Sequence, residues 1–523
     1  MKRHHSTSKM PLRRLAAAAL LAAGSSAPAL AQDVHFGGYV RTWASFNLQN
    51  PPETAQDDKY NLSMLRATAL LDADATFGSV KLKAVGRLDG EYKTKYLKRL
   101  DDMPGQSSKL IGEYNRADLR EFYADIPAGD RVSFRLGKQQ LVWGETDFFR
   151  AMDVVHGFDY SWRSFLEVEN EELRKPLILA NMRIKVPEAN GSLQAFIRPG
   201  WDRGKDIGNT YDLFGGRWAN QPNKGVNFFG PSAVPGVNLT EYDYDHPAGK
   251  KDDVTGGLRW TGSLGNVNYS VAYLKTLNND PVVNPNAGTF DFIVCGAATP
   301  GCGGATAYQK NPRGALGDFI YPKVDVVGFT ANGYSSTLDA VLSTEIVVTR
   351  DAAFNTGSNF LFGNLPGFAG VIRKNTLLTM FRADKQINLS GLIGTSRPSF
   401  GSLQLFNTRV LGFKESDDIV YLAGFGLKRK QDSALLTLIL AMNYDNNRVN
   451  PTIAAGWDVT YGGGFFIPSI EFALGDAWRL RTEADLFFNR GKSKQPGQIE
   501  GRTGLMGYFA NNNQLVMRLT RQF

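Results

Sequence analysis

Apolar and polar side chains alternate along much of this chain with a period of two. In the first such segment, Phe36, Val40 and Phe46 fall on one face, while Arg41 and Ser45 fall on the other. Runs of about ten alternating residues have the length that a tilted strand needs to cross a bilayer. The pattern therefore predicts an all-β fold, a transmembrane antiparallel barrel with one face toward lipid and the other toward a wet lumen.

Nineteen alternating segments compete for places in this barrel. We predict about 16 strands, within a range of 14–18, because membrane barrels of this type favour even strand numbers and not every segment has to be a strand. The segments begin near Phe36, Leu65, Val80, Arg116, Arg131, Leu177, Gly191, Thr255, Val267, Pro322, Thr337, Lys374, Gly401, Ile419, Ser433, Thr452, Phe466, Trp478 and Gln514.

The connections between these segments alternate between short and long. This order is typical of outer-membrane barrels, which have short periplasmic turns and long external loops. A soluble β-sandwich also has short alternating strands, but it gives no reason for such an order. The short connections are 127–130, 187–191, 265–266 and 333–335, and the long ones are 91–115, 201–254, 276–321 and 350–373.

The two ends of the sequence predict export and membrane assembly. Residues 1–31 combine five bases, a short apolar run and the small-residue site 29–31, which is typical of a cleaved signal peptide. Residues 32–523 would then form a single barrel. At the other end, Leu515, Met517, Leu519 and Phe523 share one face, interrupted by Arg521. This strand resembles the signal read by the outer-membrane assembly machinery, so we expect the cell outer membrane of a Gram-negative bacterium, with contacts to membrane lipid and lipopolysaccharide.

Charge and cysteine content narrow the function further. Without the five bases of the leader, 54 bases face 51 acids, and both signs are interspersed along the chain. A nucleic-acid partner is not expected, since it would require a basic face. The positions assigned to the lumen also mix signs, which argues against a general anion porin. Cys295 and Cys302 are disulfide candidates in an oxidising compartment, with two free thiols as the alternative.

The stretch between residues 137 and 176 breaks the alternation and is rich in both charges and aromatic rings. Charges at this density cannot face lipid. One interpretation is an external loop. The preferred interpretation is that residues 143–175 fold inward as a constriction or plug of the lumen, since charged rings beside aromatic side chains give pores their selectivity. The candidate residues are Arg135, Lys138, Gln139, Trp143, Glu145, Asp147, Asp153, Asp159 and Arg174.

Part of this stretch resembles a known family. Arg135-Leu136-Gly137-Lys138-Gln139, followed by Trp143-Gly144-Glu145 and by Asp147, Asp153 and Asp159, is similar to the motif of a large proteobacterial family of outer-membrane proteins catalogued as a domain of unknown function. The family often has Asn and Pro where this chain has His156 and Gly157. The resemblance implies an inner-membrane transporter and a periplasmic lipoprotein-like protein as partners, and traffic of lipid- or steroid-like molecules.

Enzymatic and metal functions are poorly supported by the sequence. After the leader the chain has only three histidines, His35, His156 and His246, and no Ser-His-Asp arrangement is evident. The acidic cluster near Glu241 does not match a complete Ca²⁺ loop. We therefore predict a protein that is not an enzyme and has no cofactor. The leading hypothesis is transport of a hydrophobic or amphipathic solute, and the alternatives are a diffusion porin for small polar solutes and a structural or docking barrel.

Overall fold

The computed structural model describes residues 33–51, 57–104, 106, 109–147, 149–167, 169–219, 225, 227, 254–283, 319–358, 361–362, 365–421, 427–489, 506–507 and 509–523. The predicted signal peptide, the cysteine pair Cys295 and Cys302, and the acidic cluster near Glu241 lie outside these residues.

Eighteen strands form one continuous antiparallel sheet in which each strand pairs with the next along the chain, and the last pairs with the first. The predicted all-β antiparallel barrel is confirmed, with 18 strands rather than about 16. The strands are β1 (Asp33–Asn47), β2 (Leu62–Phe77), β3 (Val80–Glu91), β4 (Arg116–Ala128), β5 (Val132–Gln139), β6 (Leu177–Val186), β7 (Gly191–Arg198), β8 (Thr255–Leu264), β9 (Val267–Leu277), β10 (Lys323–Ser335), β11 (Ala340–Thr356), β12 (Gly370–Ile387), β13 (Ser399–Val410), β14 (Asp432–Ala441), β15 (Val449–Asp458), β16 (Gly463–Leu474), β17 (Trp478–Asn489) and β18 (Gln514–Gln522).

One of the nineteen predicted segments is not a barrel strand. The segment near Ile419 belongs to the connection between β13 and β14, where Val420–Tyr421 pairs with Leu427–Lys428 in a separate two-stranded ladder. Ile419 is fully buried and bridges to Thr356 of β11. Its apolar character therefore comes from packing within the loop layer, not from contact with lipid.

The alternation observed in the sequence separates the two faces of the wall. Phe36, Val40, Phe122 and Phe381 are at least half exposed on the outer face, whereas Trp43 is 2% exposed on the inner face. Closure of the sheet pairs the backbone amides of each strand with its neighbours, which is the condition for crossing hydrocarbon. The chain is thus a transmembrane barrel of the outer-membrane type.

Most short and most long connections lie at opposite ends of the barrel, as predicted; the exception is 459–462 between β15 and β16, a short connection at the long-loop end. The longest connection at the short-turn end joins β12 to β13 and contains the four-residue helix Ser390–Ile393. The long-loop end carries the helices Lys95–Asp101, Leu110–Tyr114 and Asn170–Leu173. Among the described residues, no helix has the length and apolarity to cross a membrane.

The last strand, β18, pairs with β1 and closes the barrel, and its contacts explain why Arg521 interrupts its apolar face. Phe523 exchanges backbone hydrogen bonds with Gly38. A side chain at Gly38 would collide with the carbonyl of Leu70 and approach the Phe523 ring, so glycine is required there. Arg521 lies over the ring of Trp478, 5.7 Å from its centre. Leu519 and Met517 are exposed on the outer face, while the role of this strand in assembly stays a prediction.

Candidate functional site

The connection between β5 and β6 spans residues 140–176, and its described residues, 140–147, 149–167 and 169–176, lie inside the barrel against inward-facing side chains of the wall. We call this segment the inward loop. On one side of the lumen it makes ion pairs. Glu172 meets Arg41 of β1 at 2.8 Å, Glu169 meets Arg518 of β18 at 3.1 Å, and Arg163 contacts Glu483 and Asp485 of β17. These pairs hold the loop to strands β1, β17 and β18.

Across the lumen, three neighbouring strands converge on Glu145. The carboxylate of Glu345 on β11 accepts the backbone N–H of Glu145 and that of Met152, each at 2.7 Å. Asn332 on β10 donates its amide to the Glu145 carboxylate at 2.8 Å. Arg382 on β12 donates to the Glu145 carbonyl at 2.6 Å. Residues 145–152 are therefore fixed to the wall opposite the ion pairs, so the inward loop crosses the lumen.

A buried histidine closes the base of the inward loop. Nε2 of His156 accepts the backbone N–H of Leu141 at 2.8 Å, so Nδ1 carries the proton and donates to the Lys175 carbonyl at 3.0 Å. Burial, with Arg174 nearby, lowers the pKa of His156 to about 3. The ring therefore stays neutral. Its position depends on Gly157, where any side chain would collide with the backbone of Gly208.

The candidate residues Asp153 and Arg174 form a buried ion pair within the loop. Arg174 donates to one oxygen of Asp153 and to the side chain of Gln140, and its own carbonyl accepts from Arg120 of β4. Both members of the pair are 5% exposed or less. Lys175 follows, with Nζ donating to two backbone carbonyls at 205 and 207, and burial lowers its pKa to about 7.

The structure brings together only some of the predicted site residues. Asp147 joins Glu145 near Arg382, at 2.9 Å from that guanidinium. Trp143, 1% exposed, donates its indole N–H to Gln194 of β7. The other candidates lie apart from this group: Arg135 pairs with Asp125 within the wall, Lys138 lies near Asp118 and Asp206, Gln139 donates to nearby backbone carbonyls, and Asp159 pairs with Arg116.

An apolar cavity of about 440 Å³ lies between the inward loop and the wall from β9 to β14. Both its wall side and its loop side are predominantly apolar. Its polar groups include Arg150 and Asp153 of the loop and Asp280 of the connection after β9. The apolar lining includes Leu277, Val324, Val326, Val347, Leu378, Phe406 and Leu435 of the wall with Phe149, Val154, Phe158 and Phe165 of the loop.

A second cavity, of about 490 Å³, has the opposite character. It lies along β7 to β10 and extends to the short turns at Asn190 and Ser263. Hydroxyl and amide groups line it, including Ser192, Thr261, Asn268 and Thr330, together with Glu145 of the inward loop. The lumen thus offers an apolar chamber and, toward the short-turn end, a polar one, and residues of the inward loop line both.

Sequence reasoning missed several residues that position the inward loop. Arg163 and Glu172 lay inside the charged block, but nothing in the sequence set them apart from other charges. Glu345 is an inward-facing acid of β11, and alternation assigned it to the lumen without indicating that it holds two backbone N–H groups of a loop about 200 residues away. Among the described residues, no group of three or more His, Cys, Asp or Glu side chains could hold a metal ion.

Together these features define a class of protein: a transmembrane β-barrel of 18 strands whose lumen is crossed by one of its own loops. The chain belongs to the family described as "Protein of unknown function (DUF1302)", whose model matches residues 12–523. The predicted membership in an outer-membrane family of unknown function is confirmed. Among curated proteins, no sequence match was found.

Solved structures similar to this chain include an outer-membrane protein of Pseudomonas aeruginosa, OpdK. The chain is similar to OccAB1 of Acinetobacter baumannii, with 11% identity over 95% of this chain and 98% of the other and a TM-score of 0.45. It is also similar to OpdK of Pseudomonas aeruginosa in a structure with vanillate, with 9% identity over 94% and 99% of the two chains and a TM-score of 0.43.

Proposed function

We propose that this protein is an outer-membrane transport protein that passes a hydrophobic or amphipathic solute through its lumen. The observation that carries the proposal is the apolar cavity between the inward loop and strands β9 to β14. A lumen built only for ions and small polar solutes gains nothing from inward-facing Val326, Val347 and Phe406. Burial of an apolar solute against these side chains is favourable, by about 25 cal/mol per Å² of apolar surface removed from water.

The charged contacts support the same function in another way. They lie mainly where the inward loop meets the wall, and most of their members are buried and paired with each other. The charged side chains of this stretch therefore hold the inward loop in place. The β9–β14 side of the lumen stays available to an apolar solute. We propose that residues 143–175 act as the constriction that such a solute must pass.

A second candidate function is diffusion of small polar solutes. The polar chamber along β7 to β10 favours it, because hydroxyl and amide side chains there could replace the water around a polar solute. In that case the apolar cavity would be incidental packing space, and the protein would show substantial ion conductance.

Two protein partners are proposed on the family resemblance alone. They are a periplasmic lipoprotein-like protein and an inner-membrane transporter, which would deliver or receive the solute at the short-turn end. Three further partners are proposed on other grounds: the outer-membrane assembly machinery from the C-terminal strand, and membrane lipid and lipopolysaccharide from the outer-membrane barrel. Copurification of the full chain from its native membrane, followed by mass spectrometry, tests the two protein partners.

Filling the apolar cavity tests the transport proposal. Leu378→Trp places an indole in the cavity from β12, so we expect it to lower the flux of an alkyl-chain fluorescent probe into proteoliposomes while leaving ion conductance unchanged. The matched control is Leu403→Trp, the same change on the lipid-facing side of β13, which should leave probe flux unaltered. Equal probe flux in wild type and Leu378→Trp would contradict the proposal, and reduced conductance in Leu378→Trp with no probe flux in wild type would favour the diffusion porin.

A further inference from the structure

Two arginines line the apolar cavity, Arg150 and Arg429, and within the described residues Arg150 is paired with no carboxylate. Arg150 lies on the inward loop and lines the cavity. Its two terminal nitrogens donate to the hydroxyl of Tyr160 and, at 3.1 Å, to the side-chain oxygen of Asn170, both neutral groups. Within the part of the chain that the structure describes, Arg150 makes no ion pair, and its Nε donates no hydrogen bond. By contrast, most of the buried arginines of the lumen meet a carboxylate, as Arg41, Arg163 and Arg174 do.

The surroundings hold this guanidinium in place without neutralising it. Its central carbon lies 3.1 Å from the centre of the Phe158 ring and 5.6 Å from that of Tyr160. Aromatic faces attract a cation but do not cancel its charge. The nearest acid of the loop that lines the cavity, Asp153, is committed to Arg174. The Asp153–Arg174 pair is neutral, so Arg150 is the charge on the loop side of the cavity that has no ion-pair partner; the other charged groups of the lining are Arg429, Asp280 and Asp458.

A guanidinium has five N–H donors, and Arg150 uses two of them on the groups named above. An unbalanced charge beside an apolar chamber is costly unless a ligand supplies the counter-charge. Carboxylates match the fork geometry of arginine especially well. An apolar chain or ring attached to a carboxylate would satisfy both parts of the site, with its apolar body against β9 to β14.

We propose that Arg150 recognises the carboxylate of an amphipathic organic acid, whose apolar body occupies the cavity. This inference rests on the proposed function and deepens it, since it names the chemical class of the solute. The other carboxylates of the lining have partners of their own: Asp280, which is exposed, accepts from Asn209 and Tyr211, and Asp458 accepts from the backbone N–H groups of Thr460 and Tyr461. An uncharged alcohol with the same apolar body would fit the apolar wall, but it would supply no counter-charge for Arg150.

The test compares decanoate with 1-decanol, which share a chain length and differ in charge. The purified full chain is placed in lipid nanodiscs, and binding of each probe is measured by titration calorimetry, with empty nanodiscs subtracted. We expect wild type to bind decanoate about tenfold more tightly than 1-decanol, the effect of one hydrogen-bonded charge. Arg150→Gln should abolish this preference while retaining 1-decanol, and Arg150→Lys should keep part of it.

The control variant is Arg409→Met, which removes an exposed arginine at the end of β13 that pairs with Asp432 outside the cavity. It should keep the decanoate preference. Equal affinity of wild type for the two probes would overturn the role of Arg150 and leave the transport proposal standing. Loss of both probes in Arg150→Gln would show that Arg150 only holds the loop, which also overturns the inference. Binding of neither probe by wild type would remove the transport proposal as well.

Discussion

The two sides of the lumen meet the same inward loop in different ways. Toward β1, β17 and β18 the contact consists of buried ion pairs, such as Arg163 with Glu483 and Glu172 with Arg41. Toward β9 to β14, much of the wall is apolar and stands off from the loop across a cavity, with Glu345 and Arg382 as the polar attachments. The β1, β17 and β18 side therefore positions the inward loop, whereas the β9–β14 side leaves a cavity between the loop and the wall.

This division has a physical basis. Buried ion pairs gain little net stability, because desolvation offsets much of the attraction, but they fix geometry and penalise any displacement that separates the charges. Apolar contacts are not directional, so an apolar surface can bind molecules of different shapes and in different positions. A transport lumen that must hold a constriction in place and still accept a solute gains from separating the two kinds of surface.

Breaking the ion-pair side should produce the largest effect on stability. Arg163→Met leaves Asp485 buried without its cation and leaves Glu483 with Arg481 alone, and removing one member of a buried pair costs about 3–5 kcal/mol. We expect a lower midpoint of chemical unfolding in lipid, measured by tryptophan fluorescence. The control is Arg131→Met, whose pair with Glu188 is exposed and should contribute about 0–1 kcal/mol. Equal midpoints for the two variants would contradict the distinction drawn between buried and exposed pairs.

Releasing the loop on the cavity side should alter the pore more than the fold. Glu345→Ala leaves the N–H groups of Glu145 and Met152 without their acceptor, and each hydrogen bond to a charged group contributes about 1.5–3 kcal/mol. We expect residues 145–152 to detach and single-channel ion conductance to rise. Asp125→Ala is the control, because that acid contacts Arg135 of the wall and not the loop. A conductance equal to wild type would mean that Glu345 does not hold the loop closed.

A pH-dependent effect is expected at Glu167, on the ion-pair side. Burial, and then the neighbouring Glu169, raise the pKa of Glu167 to about 8, above its ordinary value of 4.5. An acid with a raised pKa in the folded state favours folding at low pH, and this contribution is lost as the pH rises from about 4.5 through about 8. Unfolding midpoints of wild type should therefore fall across this range relative to Glu167→Gln, which cannot ionise. Parallel pH profiles for the two proteins would show that Glu167 does not titrate in this way.

Much of the wall could be predicted from the sequence because its rule is local. Side chains of a strand alternate between two faces, so Phe36, Arg41 and Trp43 reveal their environments without knowledge of their partners. The same rule was misleading near Ile419, where an apolar run packs within a loop. The predicted number of strands, about 16, was uncertain because local alternation does not show which segments pair into the closed sheet.

The sequence by itself determined the barrel, the ends at which short and long connections lie, and the presence of a charged block that cannot face lipid. Only the tertiary structure decided which charges in that block pair with each other and with the wall. Glu345 reaches Glu145 across 200 positions of the chain, and among the residues that the structure describes Arg150 has no carboxylate partner, whereas Arg163 and Arg174 each have one. Pairing of this kind depends on closure of the barrel, which brings distant strands to one point in the lumen.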